Sequence, residues 1–462
     1  VRGWIQSSST GLGFLLIWAL DLAITVQHSF PMNRLLLALL LVPLTLKADW
    51  PQWRGPGGQG HADGKLPLSW SETKNVDWKI PIPGRGWSSP VVLDGQVWLT
   101  TAFEAERDSE EETPNTGPDG KIIPTPIPKV DLHAVCVDMA SGKVLHNVQV
   151  FSVKEPQMIH KQNSYASPSP VIEKGRVYVH FGAYGTACLD TGTGKVLWKN
   201  SELVVQHENG PGSCPTLSGN NLIFHMDGSD LQYIVALDKV TGKIAWKTDR
   251  TGELNDNYQL KKAYGTPLSV TLGGHEQLLS NAADWLYSYE LGTGKELWKM
   301  PYGRLGFSNV ARLVVGHGLI FMPTGFSKSQ MFAVRADGKG EAEIEWTYKR
   351  NVPTGPSPIL VGDELYFVSD QGGLVSCLDA KSGELVWKDR LAGGNYWASP
   401  IFGDGKLYFF SEQGVTSVLK PGKAFEKLAE NQLDGLIMGS AAVAGNAFII
   451  RTDEALYRIG ER

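Results

Sequence analysis

One twelve-residue phrase recurs five times without gaps, and it constrains the fold more than any other feature of the chain. The copies are VCVDMASGKVLH (135–146), ACLDTGTGKVLW (187–198), VALDKVTGKIAW (235–246), YSYELGTGKELW (287–298) and SCLDAKSGELVW (376–387). Each carries an acidic residue, a Gly four positions later, and a Trp or His four after that. The pattern reads as a β-hairpin. Apolar residues end one strand, the acid accepts hydrogen bonds from the turn backbone, and Gly supplies the positive φ that a tight turn needs. The residues after Gly start the next strand, with alternate side chains on opposite faces.

Weaker copies fill the spaces between these five. MFAVRADGKGEAEIEW (331–346) has a longer turn, and VTSVLKPGKAF (415–425) places Phe425 in the aromatic slot. Upstream of each hairpin a second strand pair begins on a small residue and Pro, as in SSPVV (88–92), ASPSPVI (166–172), SCPTL (213–217), GTPLSV (265–270), PSPIL (356–360) and ASPIF (398–402). Four strands in roughly 40–50 residues is the size of one propeller blade. NVDWKIPI (75–82) is a lone strand near the start, and AAVAGNAFIIRTDEALYRIG (441–460) supplies three strands with no fourth. Joining them closes a ring and removes an open sheet edge. The aromatic slot holds Trp78, His146, Trp198, Trp246, Trp298, Trp346, Trp387 and Phe425, so the expected fold is all-β: an eight-bladed propeller of four-stranded antiparallel blades over 75–462, closed by an N-terminal strand.

Composition agrees with this reading and excludes others. At 42% hydrophobic and 10% aromatic the chain can build a core, and 52 Gly with 26 Pro suit frequent sharp turns. A formal charge of −5 leaves no basic footprint for nucleic acid. Cys136, Cys188 and Cys377 occupy one slot in different repeats, too far apart to pair, and together with Cys214 they read as small buried side chains. Residues 104–130, rich in acids and prolines, read as a solvated loop inserted in the first blade.

Residues 32–48, MNRLLLALLLVPLTLKA, have the positive start, short apolar run and small terminal residue of a secretory signal peptide. The apolar stretch 11–26, interrupted by Asp21, permits a membrane anchor instead; a start at Met32 with upstream residues untranslated is the preferred reading. Removing residues 1–48, with three basic residues and one acidic, moves the charge from −5 to −7. The expected product begins near Asp49, with residues 49–74 as a lead-in, no membrane span, a periplasmic or secreted location and a monomeric state.

The phrase A/C-x-L-D-x-x-T-G-K-x-x-W resembles the tryptophan-docking repeat of quinoprotein-type propellers. That superfamily includes pyrroloquinoline quinone dehydrogenases and non-catalytic BamB-like outer-membrane assembly factors. The opening DWPQWRGPGGQG (49–60) is similar to the start of exported proteins with the same repeat. The resemblance covers about 70–460 and implies that Trp78, Trp198, Trp246, Trp298, Trp346 and Trp387 pack between blades. It also marks departures. The family's alcohol dehydrogenases carry two adjacent cysteines over the quinone, and no two cysteines here are neighbours. No C-x-x-C-H haem segment is present, and a calcium site would have only Glu208 and Asn209 to start from.

The candidate site comes from position in the repeat. The residues just before each inner strand read, around the ring, Trp87, Tyr165, Gly212, Tyr264, Phe307, Gly355, Trp397 and Met438. Polar residues precede them: Arg85, Gln162, Asn163, His207, Asn209, Asn257, Arg304 and Asn395. An aromatic ring edged by polar donors at a channel mouth suits a protein, small-molecule or glycan ligand; the bland alternative is that the rings only fill the channel. Arg85 and Arg304 could meet a carboxylate. With no H-E-x-x-H, G-x-S-x-G or phosphate loop, no catalytic or metal residue is assigned. The expectation is a binding or assembly module without a resident cofactor. The alternatives are a dehydrogenase using pyrroloquinoline quinone with calcium at the same mouth, and a polysaccharide-binding or processing protein.

Overall fold

Each repeated phrase folds as the local chemistry requires. Asp138 Oδ1 accepts from the backbone N–H and the hydroxyl of Ser141 at 2.8 and 2.6 Å, and Asp190, Asp238 and Asp379 repeat the arrangement. These bonds favour the ionised form and hold all four carboxyls below the usual range. Gly142, Gly194, Gly242, Gly294 and Gly383 all take φ between 69° and 74°. A second requirement for glycine lies outside the turn itself. The Trp or His of the preceding blade lies against the missing side chain, so a Cβ on Gly142 would fall 2.9 Å from Trp78 ring atoms, and one on Gly194 as close to His146. Trp198, Trp246 and Trp346 cover Gly242, Gly294 and Gly383 in the same way. Several of the indoles also donate across to the neighbouring turn, Trp78 to the Met139 carbonyl at 3.0 Å, Trp198 to Lys239 at 3.1 Å and Trp346 to Ala380 at 3.0 Å. Trp298 differs, bonding Gln277 Oε1 of its own blade at 2.8 Å.

The computed structural model describes residues 49–106, 127–338 and 340–461, with backbone only at 115–116 and 122–123. The signal-like segment and the stretch before Met32 lie outside the described residues, as does most of the 104–130 insertion. Eight antiparallel sheets follow one another in sequence around the ring. Blade 1 comprises Val91–Leu93, Gln96–Glu104, Lys129–Asp138 and Val144–Lys154, and blades 2 to 7 begin at Val171, Thr216, Leu268, Val314, Ile359 and Ile401. Blade 8 is Ala442–Ala444, Ala447–Arg451 and Ala455–Gly460, completed by Val76–Pro81, which pairs antiparallel with Ala455–Gly460. Among the described residues two short 3-10 turns, Gly182–Tyr184 and Tyr258–Leu260, interrupt the strands, and no helix there is long and apolar enough to cross a membrane. The core lies between blades; Val97 and Val135 of blade 1, for example, pack with Phe448, Ile450 and Leu456 of blade 8.

Blade 7 departs from the four-stranded expectation. His61–Ala62 adds beside Ile401–Gly403 as a parallel fifth strand on its inner edge. The cause is the lead-in, which threads the centre of the ring. Trp50 bridges Val92, the Pro51 carbonyl accepts from Ile172 N–H at 2.8 Å, and Gln52 meets Thr216. Gln59 Oε1 accepts from Val315 N–H at 2.8 Å, Arg54 Nη2 donates to the Pro358 carbonyl at 2.7 Å, and the Gly60 carbonyl accepts from Phe402 N–H at 2.9 Å. A segment satisfying inner-strand groups of this many blades closes one end of the channel. Trp50 runs antiparallel to its strand and His61–Ala62 runs parallel, so the segment enters and leaves by the same end, and its turn faces the other.

Candidate functional site

The inner strands begin on a belt of hydrogen bonds that runs from blade 5 through blades 6, 7, 8, 1, 2 and 3 to Thr266 of blade 4. Ser89 N–H donates to Ser169 Oγ at 2.8 Å, Ser169 N–H to Cys214 Sγ at 3.2 Å, and Cys214 N–H to Thr266 Oγ1 at 3.0 Å. On the other side Ser357 N–H donates to Ser399 Oγ at 3.0 Å, Ser399 N–H to Ser440 Oγ at 2.9 Å, and Ser440 N–H back to Ser89 Oγ at 2.9 Å. Ser89, Ser169, Cys214, Ser357, Ser399 and Ser440 each receive from one neighbouring blade and donate to the other. In most blades the next residue is Pro, which brings no further N–H into the crowded centre. Blade 5 breaks the rule with Ala311 and Arg312, and there Arg312 N–H reaches Ser357 Oγ at 2.9 Å. The Arg312 side chain is fully buried against the lead-in and donates to the carbonyls of Pro267 and Trp53.

Above the belt, on the side the inner strands start from, is a cavity of about 450 Å3. Trp87, Tyr264, Phe307 and Trp397 form its walls together with Asn163, Asn209, Gln162, Gly212, Gly355 and Met438. Trp53 of the lead-in, Phe326, His160, Cys214 and Val310 also line it, with Ser89, Ser167, Ser169, Thr266, Ser308 and Ser440. Phe307 and Phe326 are paired in a two-stranded ribbon, Gly306–Phe307 with Phe326–Ser327. The indole N–H groups are all engaged by protein: Trp87 with the Gln162 carbonyl at 3.0 Å, Trp397 with Glu412 at 3.1 Å, Trp53 with Ser440 Oγ at 3.2 Å. Asn163 is fully engaged, donating to the Asn209 and Pro211 carbonyls and accepting from Ser164 N–H and Ser167 Oγ. Tyr264 donates to the His207 carbonyl at 2.6 Å.

Six residues singled out in the sequence are not among the lining residues; one, Asn257, caps the 3-10 turn Tyr258–Leu260 by accepting from Gln259 N–H at 3.0 Å. Tyr165 is 3% exposed and packs against Tyr184 with the rings tilted by 58°, while its hydroxyl donates to the Gln157 carbonyl at 2.9 Å. His207 is 6% exposed; its Nε2 accepts from Ala183 N–H at 2.7 Å, and burial pushes its pKa down to about 4. Arg85 packs its guanidinium 5.6 Å from the Trp87 ring centre, donates to the Lys161 carbonyl at 2.5 Å and faces Glu104. Arg304 is exposed and acts on Asp284, whose carboxyl burial has raised to about 6. Asn395 is held at the outer turn, where its N–H donates to Gln413 Oε1. Trp53 and Phe326 were missed. Neither occupies a repeat slot, so no periodic signal could have found them.

The quinone alternative was tested against this wall. Pyrroloquinoline quinone carries three carboxylates and needs cations, yet no Lys, Arg, Asp or Glu lines the cavity. Both Glu208 oxygens accept protein hydrogen bonds, from Ser229 Oγ and Gln259 Nε2, each at 3.0 Å. No group of three His, Cys, Asp or Glu among the described residues could hold a metal ion. The residues present do not fit a calcium-bound quinone. All four cysteines are buried and unpaired, with the Cys136, Cys188 and Cys377 thiols pushed up to about 12 by burial.

A family model described as outer membrane protein assembly factor BamB matches residues 62–248, 131–389 and 259–462. Among individual proteins, the assembly factor BamB of Shewanella oneidensis is 22% identical over 249 residues, 50% of this chain and 58% of that protein. BamB of Yersinia pestis is 23% identical over 217 residues, 46% and 50%. Quinohemoprotein alcohol dehydrogenase ADH-IIG of Pseudomonas putida is 21% identical over 251 residues, 50% of this chain and 33% of that enzyme. The matched stretch thus spans between half and three fifths of the BamB relatives' length. Among solved structures, BamB from Moraxella catarrhalis superposes with a TM-score of 0.53 at 12% identity, covering 83% of this chain and 99% of that one. The quinohemoprotein alcohol dehydrogenase from Comamonas testosteroni gives 0.58 at 11%, covering 90% and 81%. Both structural likenesses speak for the propeller alone. The family match, running from residue 62 in the lead-in to residue 462, places the chain among the BamB-like proteins of the PQQ-like repeat β-propeller family.

Proposed function

We propose that the chain is a non-catalytic binding or assembly module that engages a partner through the mouth of its channel. One observation carries this reading: a cavity of about 450 Å3 whose walls are aromatic faces, with neither a charged residue nor an acid–base pair among its lining. Such a wall recognises surface by burial and ring contact; its lining histidine, His160, accepts from Gln162 N–H through Nδ1 and has no acidic residue beside it on the wall. The BamB-like family membership supports the same reading, because proteins described as assembly factors work by binding. The partner is a protein or small ligand seated among Trp87, Asn163, Asn209, Tyr264, Phe307 and Trp397, with Arg85, Tyr165, His207, Arg304 and Asn395 supporting these walls from behind or beside them. Trp78, Trp198, Trp246, Trp298, Trp346 and Trp387 serve the fold, not the partner. On this reading the protein acts outside the cytoplasm as a monomer after cleavage near Ala48, which N-terminal sequencing of the exported protein checks.

The test is substitution of Trp87 and Trp397 by Ala. Both variants should keep the melting temperature within a few degrees and lose retention of partner on immobilised protein. If both unfold, the rings serve only to fill the channel and the reading is wrong. Stoichiometric quinone uptake with calcium, followed by dye reduction with alcohols or sugars, would also overturn it.

A further inference from the structure

The mouth cavity has two unlike sides. Polar side chains gather on the entries of the adjacent blades 2 and 3, where His160, Gln162, Asn163 and Asn209 stand. Across the ring the large side chains are apolar: Phe307, Val310 and Phe326 of blade 5, Trp397 of blade 7 and Met438 of blade 8. Phe326 is 38% exposed, and Phe307 and Trp397 are half-buried, so ring surface is open to an occupant. The polar groups differ in what they have left to give. Asn163 is spent on protein partners, and the Asn209 amide stands beside the Tyr264 hydroxyl. Gln162 is exposed and uses only its backbone, its N–H donating to His160 Nδ1 at 3.3 Å and its carbonyl accepting from the Trp87 indole at 3.0 Å. Its side-chain amide has no partner among the described residues. Because Nδ1 of the exposed His160 accepts, that ring carries its proton on Nε2, where it is a donor.

Resting on the reading of the mouth as a binding site, we propose that the cavity takes the terminal unit of a neutral glycan, a C–H face of its pyranose ring against Trp397 and Phe307 and its hydroxyls on the Gln162 amide and His160 Nε2–H. A pyranose is two-sided in the same sense, with C–H groups over a face and hydroxyls along its edge. The negative faces of aromatic rings attract such polarised C–H groups. Each sugar hydroxyl both donates and accepts, and a primary amide answers both, its oxygen accepting from one hydroxyl and its NH2 donating to the next. Neutrality follows from the wall: no Lys, Arg, Asp or Glu lines it, and a charged sugar would lose hydration without meeting a counter-charge. An aliphatic occupant would strip water from Gln162 and His160 and return nothing. A peptide would bury backbone N–H and C=O groups that one amide and one imidazole cannot all pair, whereas sugar hydroxyls without a protein partner point out of the mouth and stay hydrated. The volume, about 450 Å3, lies within the span of roughly 300–1,000 Å3 usual for ligand sites and has room for the end of a short oligosaccharide.

The full chain would be titrated by saturation-transfer NMR with cellotriose, maltotriose, mannotriose, trigalacturonate, acetyl-Gly-Phe-Gly-amide and pyrroloquinoline quinone. At least one neutral trisaccharide should bind ten-fold tighter or more than trigalacturonate, with transfer strongest at the ring C–H protons of one end unit. Trp397→Ala should weaken that trisaccharide ten-fold or more. Gln162→Ala, which keeps the backbone carbonyl that holds the Trp87 indole, should weaken it about three- to ten-fold at an unchanged melting temperature. The proposal is overturned if no neutral trisaccharide binds, if trigalacturonate binds equally well, or if Gln162→Ala leaves the affinity as it was. Binding of the Phe peptide in place of the sugars, lost in Trp397→Ala, overturns the occupant class while leaving the mouth a binding site. Stoichiometric quinone binding, or no probe binding together with undiminished partner retention by the Trp87 and Trp397 variants, overturns the reading of the mouth itself.

Discussion

Three histidines should make this propeller acid-sensitive well above the carboxylate range. His180, His207 and His225 line an internal void of about 10 Å3 between blades 2 and 4, and are 2%, 6% and 2% exposed. His180 Nδ1 is 2.8 Å from Thr186 Oγ1, and His225 Nε2 is 2.8 Å from Ser280 Oγ, a hydroxyl that also accepts from Arg250 Nη1. Burial pushes the His180 pKa down to about 3 and that of His207 to about 4. His225 is driven well below its ordinary value by burial and then by Arg250 and Arg312. Around them stand Asp227, paired to Arg250 at 2.7 Å, and Asp230, which works weakly the other way on His207.

The sign follows from linkage. Each native pKa lies below that of the unfolded chain, about 6.5, so as pH falls through 6.5 the unfolded state takes up protons that the native state refuses. Stability is full above that value and is lost on acidification until the native pKa values are reached. From pH 7 to pH 5 the loss is about 1.9 kcal/mol per histidine, or about 5–6 kcal/mol for the three. Asp284 opposes it, because a carboxyl raised to about 6 binds its proton more readily in the native state; for a group near the rim this returns roughly 1 kcal/mol. The net expectation is a loss of about 4–5 kcal/mol, a large part of a typical domain's stability. Urea unfolding followed by tryptophan fluorescence at pH 7, 6 and 5 measures it, and His225→Gln should shrink the loss by about 2 kcal/mol. Stability that stays level from pH 7 to pH 5 would refute the claim that these imidazoles are neutral and sealed.

Gly294→Ala should destabilise the chain by about 2–4 kcal/mol, since the new Cβ collides with the Trp246 ring at a backbone φ of 70°; the urea midpoint reads it. Ser399→Ala removes the acceptor for Ser357 N–H at the buried belt and should cost about 1–3 kcal/mol, with faster amide exchange at Ser357. Asp227→Asn leaves the fully buried Arg250 guanidinium without its counter-charge and should cost about 3–5 kcal/mol by thermal unfolding, whereas the exposed pair Lys420–Glu426 should contribute almost nothing when broken.

What was legible in the sequence was whatever is settled within a few residues. The acid–Gly turn is made by Asp138, Ser141 and Gly142 alone, and its repetition carries the blade count with it. The small residues of the Ser-Pro starts read as turn chemistry, yet Ser89, Ser169, Ser399 and Ser440 act across blades, 41 to 351 residues apart in the chain for three of the belt bonds. Position in the repeat put Trp87, Tyr264 and Trp397, each two residues before its belt residue, on one cavity because register fixes where a strand starts; Phe307 lies five before Arg312 and reaches the cavity through its ribbon with Phe326. It could not say that Tyr165 turns into the blade 2 packing or that Arg85 lies against Trp87, since those choices depend on partners such as Tyr184 and Lys161. Trp53 was hidden for the same reason in stronger form: its position depends on how the lead-in meets blades 5 and 8.

That lead-in also decides what the mouth cavity presents. Closing the channel with residues 50–60 requires side chains able to bond to strand edges, and two arginines do it, Arg54 through the carbonyls of Gln59 and Pro358 and Arg312 through those of Trp53 and Pro267. Their charge is held on backbone carbonyls beneath the cavity, with burial lowering their pKa values to about 9 and about 10. Arg451 is fixed likewise on the Ser88 hydroxyl and the Thr100 carbonyl. The cations available at the axis are thus committed to holding the ring and its floor together, and the surface left facing the mouth is rings and hydroxyls. On the reading proposed above, a partner at the mouth meets ring faces and polar side chains, with no Lys, Arg, Asp or Glu on the lining to answer the carboxylates of a quinone.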